Sequence, residues 1–147
     1  MDVKEKLNED LKAAMKAGDA LKTSTVRMLK AAINNAEMAK KVSFTDEEVF
    51  RVIAASIKQR RDSIEQYKKG NRPELAAQEE AELVILQSYL PAQMSEEELR
   101  ALVARVIAET GAGAVKDMGK VMGKLMPLLK GRAENSLVSS IVRENLK

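Results

Sequence analysis

Residues 117–133 read DMGKVMGKLMPLLKGRA, and the spacing of their apolar side chains sets the class of the whole chain. On a helix, Met118, Val121, Met122, Leu125 and Met126 fall on one side, as a core-facing stripe requires. The other side carries Gly119 and Gly123 beside Lys116, Lys120 and Lys124, four residues apart within an arc of about 80°. A glycine inside a helix costs about 1 kcal/mol relative to alanine. Two of them beside three lysines raise the question of what approaches that side.

Working outward, the same helical period recurs and strand-like alternation does not. Leu7, Leu11 and Met15 predict a helix over 3–17, which Gly18 stops. Asp19 can cap a second over 20–41, with Leu21, Val26, Leu29, Ile33 and Ala36 as its apolar positions. Thr45 ahead of Asp46, Glu47 and Glu48 is an N-cap with acids in the first turn, opening a third helix over 46–69. Gly70-Asn71 ends it, and Pro73 suits the first turn of a fourth that closes near Leu90-Pro91. Ser95 with Glu98 caps a fifth, which buries Leu99, Leu102, Val103, Val106 and Ile107. After Gly111-Ala112-Gly113 comes the opening stretch, and Gly131 turns into a last helix carrying Leu137, Val138, Ile141 and Val142. The expectation is an all-α protein of two helical subdomains. Residues 1–92 hold about four longer helices and residues 93–147 a three-helix bundle.

Composition narrows the chemistry. Among 147 residues, 45% are apolar and 32% charged, which is globular composition rather than a disordered tail. Cysteine and histidine are both absent, which excludes disulfides, thiolate or imidazole metal sites, and Ser-His-Asp or Cys-His nucleophile systems. No cofactor or metal is expected. No apolar run approaches the roughly 20 residues of a membrane span, and the start lacks a signal peptide's apolar segment. The simplest expectation is a soluble cytoplasmic protein with no membrane partner.

The net charge of +3 is unevenly spread. Residues 73–91 hold four glutamates and no basic residue, whereas residues 114–147 hold seven basic against three acidic. A basic tail is compatible with a polyanion partner. Around Gly119 and Gly123 two readings stay open. A neighbouring helix packs closely on the glycines, or a phosphate backbone lies on a flat, lysine-edged strip. Lys130-Gly131-Arg132 sits between two helices, where free N–H groups and a helix dipole can hold an anion or an ordinary turn can form. Lys58, Arg60 and Arg61 read as a solvated face, with Asp62 and Glu65 in ion-pairing register. Glu79, Glu80 and Glu82 also read as solvated, and the eight methionines as core. With Phe44, Phe50, Tyr67 and Tyr89 the only aromatics, and none within the basic tail, stacking on single-stranded bases is disfavoured. Contact with backbone and shape, as for a structured RNA, fits better, and DNA is not an expected partner.

Several blocks carry a family likeness: Arg27-Met28-Leu29-Lys30-Ala31-Ala32-Ile33, Lys58-Gln59-Arg60-Arg61-Asp62-Ser63-Ile64, and Tyr89-Leu90-Pro91 followed by Ser95-Glu96-Glu97-Glu98-Leu99. Asp117-Met118-Gly119-Lys120-Val121-Met122-Gly123 and Lys130-Gly131-Arg132-Ala133 complete it. In order and spacing, nearly end to end, the chain resembles the YqeY family of small bacterial proteins. That resemblance implies a two-part helical fold and kinship with the C-terminal tail of GatB, a subunit of the tRNA-dependent amidotransferase. The enzyme converts misacylated tRNA by ATP-dependent amide transfer from glutamine, and the tail looks like a binder of the tRNA body. Its glycine- and lysine-rich helix corresponds to Gly119, Lys120, Gly123, Lys124, Lys130 and Gly131; before Pro91 the likeness to GatB is much weaker.

The chain contains neither the amidase subunit nor GatB's catalytic portion, so catalysis by it alone is not expected. The leading expectation is a non-catalytic module for tRNA or another structured RNA, contacting it through Lys116, Gly119, Lys120, Gly123, Lys124, Lys130, Gly131 and Arg132. The alternatives are an accessory role beside an amidotransferase or aminoacyl-tRNA enzyme, and a protein-interaction scaffold.

Overall fold

The computed structural model describes residues 2–146 and is all-α: among these residues there are seven α-helices, one 3-10 turn and no strand. In order these are α1 (Val3–Ala17), α2 (Ala20–Lys40), α3 (Asp46–Lys69), α4 (Pro73–Gln87), α5 (Glu96–Thr110), the 3-10 turn Val115–Asp117, α6 (Met118–Leu129) and α7 (Asn135–Asn145). They form two compact units, one ending at Leu90 and the other beginning at Pro91.

Local chemistry accounts for most ends. Asp2, Asp19, Thr45 and Ser95 each accept a backbone N–H three residues on, starting α1, α2, α3 and α5. At α3 the box is reciprocal, with the Glu48 carboxylate returning to the Thr45 N–H at 3.2 Å. Gly18 and Gly111 close α1 and α5 in the left-handed region, where an L side chain is strained.

Two ends differ from expectation. Helix α4 stops at Gln87, and Tyr89 and Leu90 continue as a tight turn bonded to Leu86 and Gln87. Pro91 disfavours the α conformation at Leu90, so the chain leaves the helix before reaching it. Helix α2 ends one residue early because Lys41, not a glycine, takes the left-handed cap at φ 57°.

In the first unit, α1 and α2 form an antiparallel hairpin around Leu7, Val26, Leu29 and Ile33. Lys4 near the start of α1 is ion-paired with Glu37 near the end of α2, and also donates to Ser43 Oγ at 3.2 Å. Glu37 accepts the Phe44 N–H at 2.6 Å as well, and Lys4 followed by that N–H holds its carboxyl below the usual range. The paired helices α3 and α4 add Val49, Ile53, Ile57 and Leu86 to the same core. The second unit packs Leu99, Val103 and Val106 of α5 against Val121, Leu125 and Leu129 of α6 and Val138, Ile141 and Val142 of α7. Leu137 lies outside that core at 38% exposure.

Candidate nucleic-acid interface

Helix α6 is built as an amphipathic element with an unusual outer face. Val121, Leu125 and Leu129 are fully buried, and Met118, Met122 and Met126 flank them half-buried. Gly119, Lys120, Gly123, Lys124, Pro127 and Leu128 are exposed. A Cβ placed on Gly119 or Gly123 would meet no atom within 4 Å. Nothing in the second unit packs on the glycines, so helix packing within that unit does not account for them.

The helix continues through Pro127 to Leu129, beyond the ten residues whose faces the pattern separated. Proline has no N–H, so the bond residue 127 would make to the Gly123 carbonyl is absent. Gly119, Gly123 and Pro127 therefore follow one another at four-residue spacing on the outer face. They form a strip without long side chains.

The lysines are not a uniform ridge. Lys116 belongs to the 3-10 turn ahead of α6 rather than to the helix, so only Lys120 and Lys124 keep the helical register. The turn is held by Asp117, whose carboxylate accepts the Gly113 N–H at 3.2 Å. Lys124 Nζ lies 3.4 Å from Glu109 Oε2, and Glu109 also receives Arg105 Nε at 3.7 Å. All three side chains are about half exposed, where such pairs contribute roughly 0–1 kcal/mol. The pair is weak enough to exchange for another anion. Lys116 and Lys120 are exposed and meet no acidic partner among the described residues.

Of the two readings open for the corner after α6, the structure shows the turn. Lys130 and Gly131 are both left-handed, at φ 45° and 79°. The N–H groups of Lys130 and Arg132 are spent on the carbonyls of Met126 and Leu129, at 3.4 and 2.9 Å. Arg132 Nε donates to the Ala92 carbonyl at 3.0 Å, and its own carbonyl accepts the Met94 N–H at 2.8 Å. Gln93 Nε2 donates to the Gly131 carbonyl at 3.0 Å. Arg132 thus fastens the 92–94 segment to the end of α6. The following helix starts only at Asn135, behind Glu134, whose own charge competes with any anion there. Lys130 alone of this corner projects as an exposed cation.

Away from α6, Arg60 alone of the α3 basic cluster departs from the solvated face expected of it; Lys58 and Arg61 are exposed. Arg60 is 9% exposed and Glu82 7%, and Glu79 is half-buried beside them. Arg60 Nε lies 3.5 Å from Glu82 Oε2 and Nη1 4.0 Å from Glu79 Oε2. Burial pushes the Glu82 carboxyl above its ordinary range; Arg60 opposes this and Glu79 adds to it. Glu80 remains outside, pairing with Lys68 at 2.9 Å. The signal was present in the spacing: Ile53, Ile57, Arg60 and Ile64 continue one helical stripe. Its charge hid its place on that stripe. Among the described residues no group of three or more acidic side chains could hold a metal ion, and no helix is long and apolar enough to cross a membrane.

A family model described as Yqey-like protein matches residues 4–146. The chain belongs to the YqeY family. Its relatives include fungal proteins named altered inheritance of mitochondria protein 41, mitochondrial. That of Vanderwaltozyma polyspora is 45% identical over 85 residues, covering 57% of this chain and 46% of the relative. The one from Pyrenophora tritici-repentis is 34% identical over 143 residues, covering 95% and 78%. The Saccharomyces cerevisiae protein is 32% identical over 149 residues, covering 94% and 80%. The match to the first thus spans about half of its length. These names correct one expectation: relatives designated mitochondrial overturn the cytoplasmic assignment drawn from composition.

Proposed function

We propose that this YqeY-family chain is a non-catalytic RNA-binding module whose contact surface is the outer face of α6. The observation that carries the reading is the open space over Gly119 and Gly123. A helix that accepts two glycines and an internal proline, none of them used for packing within its unit, has an outer face suited to close approach. Lys116, Lys120 and Lys124 edge that face, and Lys130 extends the positive charge past its end. A phosphate backbone is the ligand such a strip suits. Gly131 serves this surface by turning the chain, and Arg132 by fixing the corner rather than by touching RNA. The GatB-tail resemblance makes tRNA the first RNA to try.

The relatives' name describes an organelle phenotype and specifies no reaction, so the biochemical reading rests on α6. An accessory role in glutamine-dependent amide transfer on tRNA is the second reading, resting on the resemblance alone. A partner protein on the same strip is the third, favoured by Leu128, 47% exposed beside Lys124. Titration with unmodified tRNA at several salt concentrations separates them. RNA contact gives a log–log salt slope that falls by about one for each lysine removed, so Lys120→Glu should weaken binding at every sequence tested. Binding absent at low salt, or untouched by Lys120→Glu, rejects the RNA reading. A protein captured by Gly123 but indifferent to Lys120 would support the scaffold instead.

A further inference from the structure

The groove between α1 and α2 holds a cavity of about 100 Å³, lined by Lys4, Leu7, Asn8, Lys30, Ile33 and Asn34. That is room for roughly three water molecules at their share of liquid volume. Both helices build it from one pattern, Lys-x-x-apolar-Asn: Lys4, Leu7 and Asn8 on α1, and Lys30, Ile33 and Asn34 on α2. Residues at i, i+3 and i+4 share a helix face, so each helix turns a lysine, an apolar residue and an amide toward the other. Because the hairpin is antiparallel, the two triplets are related by an approximate two-fold. The Lys4 end of one faces the Asn34 end of the other, as the nearby Lys4–Glu37 pair requires.

Leu7 and Ile33 are 1% and 3% exposed and make a dry floor. The polar lining is two ammonium groups and two primary amides, with no carboxylate. Lys4 is engaged by Glu37 and Ser43, whereas Lys30 has no acidic partner among the described residues. Four of the hairpin's six acids are spent elsewhere, and the other two, Glu5 and Glu9, are exposed on α1 and do not line the groove. Asp2 and Asp19 cap helices, Asp10 accepts from Tyr89, and Glu37 holds Lys4. A primary amide can turn its NH₂ toward an anion, and a lysine supplies a point charge with rotatable donors.

We propose that this groove is an oxyanion site, seating one phosphate group between Lys30, Asn8 and Asn34. Two donor-bearing helices around a small apolar floor suit a compact tetrahedral anion better than a planar or extended ligand. The site lies on the other unit from α6 and stands whether or not α6 meets RNA. The phosphate can be free, or can be one phosphate of a nucleic-acid backbone.

The test follows the side-chain amide resonances of Asn8 and Asn34 in the full ¹⁵N-labelled chain during titration with inorganic phosphate, with sodium chloride at matched ionic strength as the control. Saturable shifts at both amides are expected, with affinity about tenfold weaker in Lys30→Met, which keeps the aliphatic stem but loses one charge-assisted bond. Shifts that chloride reproduces, or that Lys30→Met leaves unchanged, overturn the site. Retained far-UV circular dichroism and unfolding midpoint show that Lys30→Met still folds. A structured RNA added to Lys120→Glu/Lys124→Glu chain identifies the source. Response of Asn8 and Asn34 to that RNA assigns the seat to a backbone phosphate; response to inorganic phosphate alone assigns it to a free one.

Discussion

The Tyr89 hydroxyl donates to Asp10 Oδ2 at 2.6 Å, joining the last turn of the first unit to its first helix. Tyr89 is 5% exposed, and Lys6 Nζ stands 5.6 Å from its ring centroid. Burial first, and the Asp10 carboxylate second, push the phenol above its ordinary value of 10.0. A folded state that holds its proton longer than the unfolded chain is stabilised below that ordinary value. It loses the advantage as pH rises beyond it.

Tyr89→Phe should therefore cost about 1.5–3 kcal/mol at neutral pH, the range for a hydrogen bond to a charged group. It should also flatten the fall in stability expected of the native chain above about pH 10. Urea unfolding at neutral and alkaline pH measures both effects. A native chain with no alkaline loss would show that burial and the Asp10 carboxylate together do not raise the phenol.

The Arg60 cluster predicts asymmetry between its members. Arg60→Met leaves two carboxylates facing each other in the α3–α4 seam and should cost about 3 kcal/mol or more at neutral pH. The loss should shrink in acid as Glu82 takes up a proton. Glu82→Gln should be tolerated, because Arg60 keeps Glu79. With Glu82 raised, the native chain's contribution from this group is complete below 4.5 and declines as pH rises through its folded value. Glu82→Gln removes that slope. Unfolding curves of the two variants between about pH 4 and pH 7 decide the matter. Equal costs for both would contradict the cluster.

Open space over the glycines yields an opposed pair of effects. Gly123→Ala should stabilise the second unit by up to about 1 kcal/mol, since its helical backbone accepts alanine. Gly119→Ala should do less, lying in the first turn. Both should weaken RNA binding if the backbone of the ligand approaches the strip. Stabilisation with unchanged RNA affinity would leave α6 without its proposed partner.

Arg132→Ala should lower stability by about 1 kcal/mol through its bond to the Ala92 carbonyl. Its effect on the salt slope should be small beside that of Lys120→Ala. A full unit of slope lost with Arg132 would return it to the interface.

Helix order and most boundaries were legible because each is punctuated locally, by Asp19, Thr45, Ser95 and the left-handed glycines. Leu99, Val103 and Val106 of α5 and Val121 and Leu125 of α6 followed from spacing alone, whereas Leu129 lay past the stretch whose faces the pattern separated. What escaped depends on distant partners. Nothing near Arg60 announces Glu82, which reaches it only when α4 packs back along α3. Likewise nothing near Arg132 announces Ala92. Lys116 looked like the start of a ridge because its four-residue spacing is blind to a 3-10 turn. The two readings of the glycine face could not be separated from composition, because packing and ligand contact favour the same small residues.

Gly119, Gly123 and Pro127 also bear on how α6 moves. Three of its twelve residues are poor helix formers, and its hold on the unit rests on Val121, Leu125 and Leu129. Its amides should exchange with solvent through local opening at lower free energy than those of the capped 24-residue α3. A ligand that settles on the strip would then arrest this fraying and sacrifice conformational entropy. Slowed amide exchange along α6, with binding that weakens steeply on warming, would be the signature of that settling.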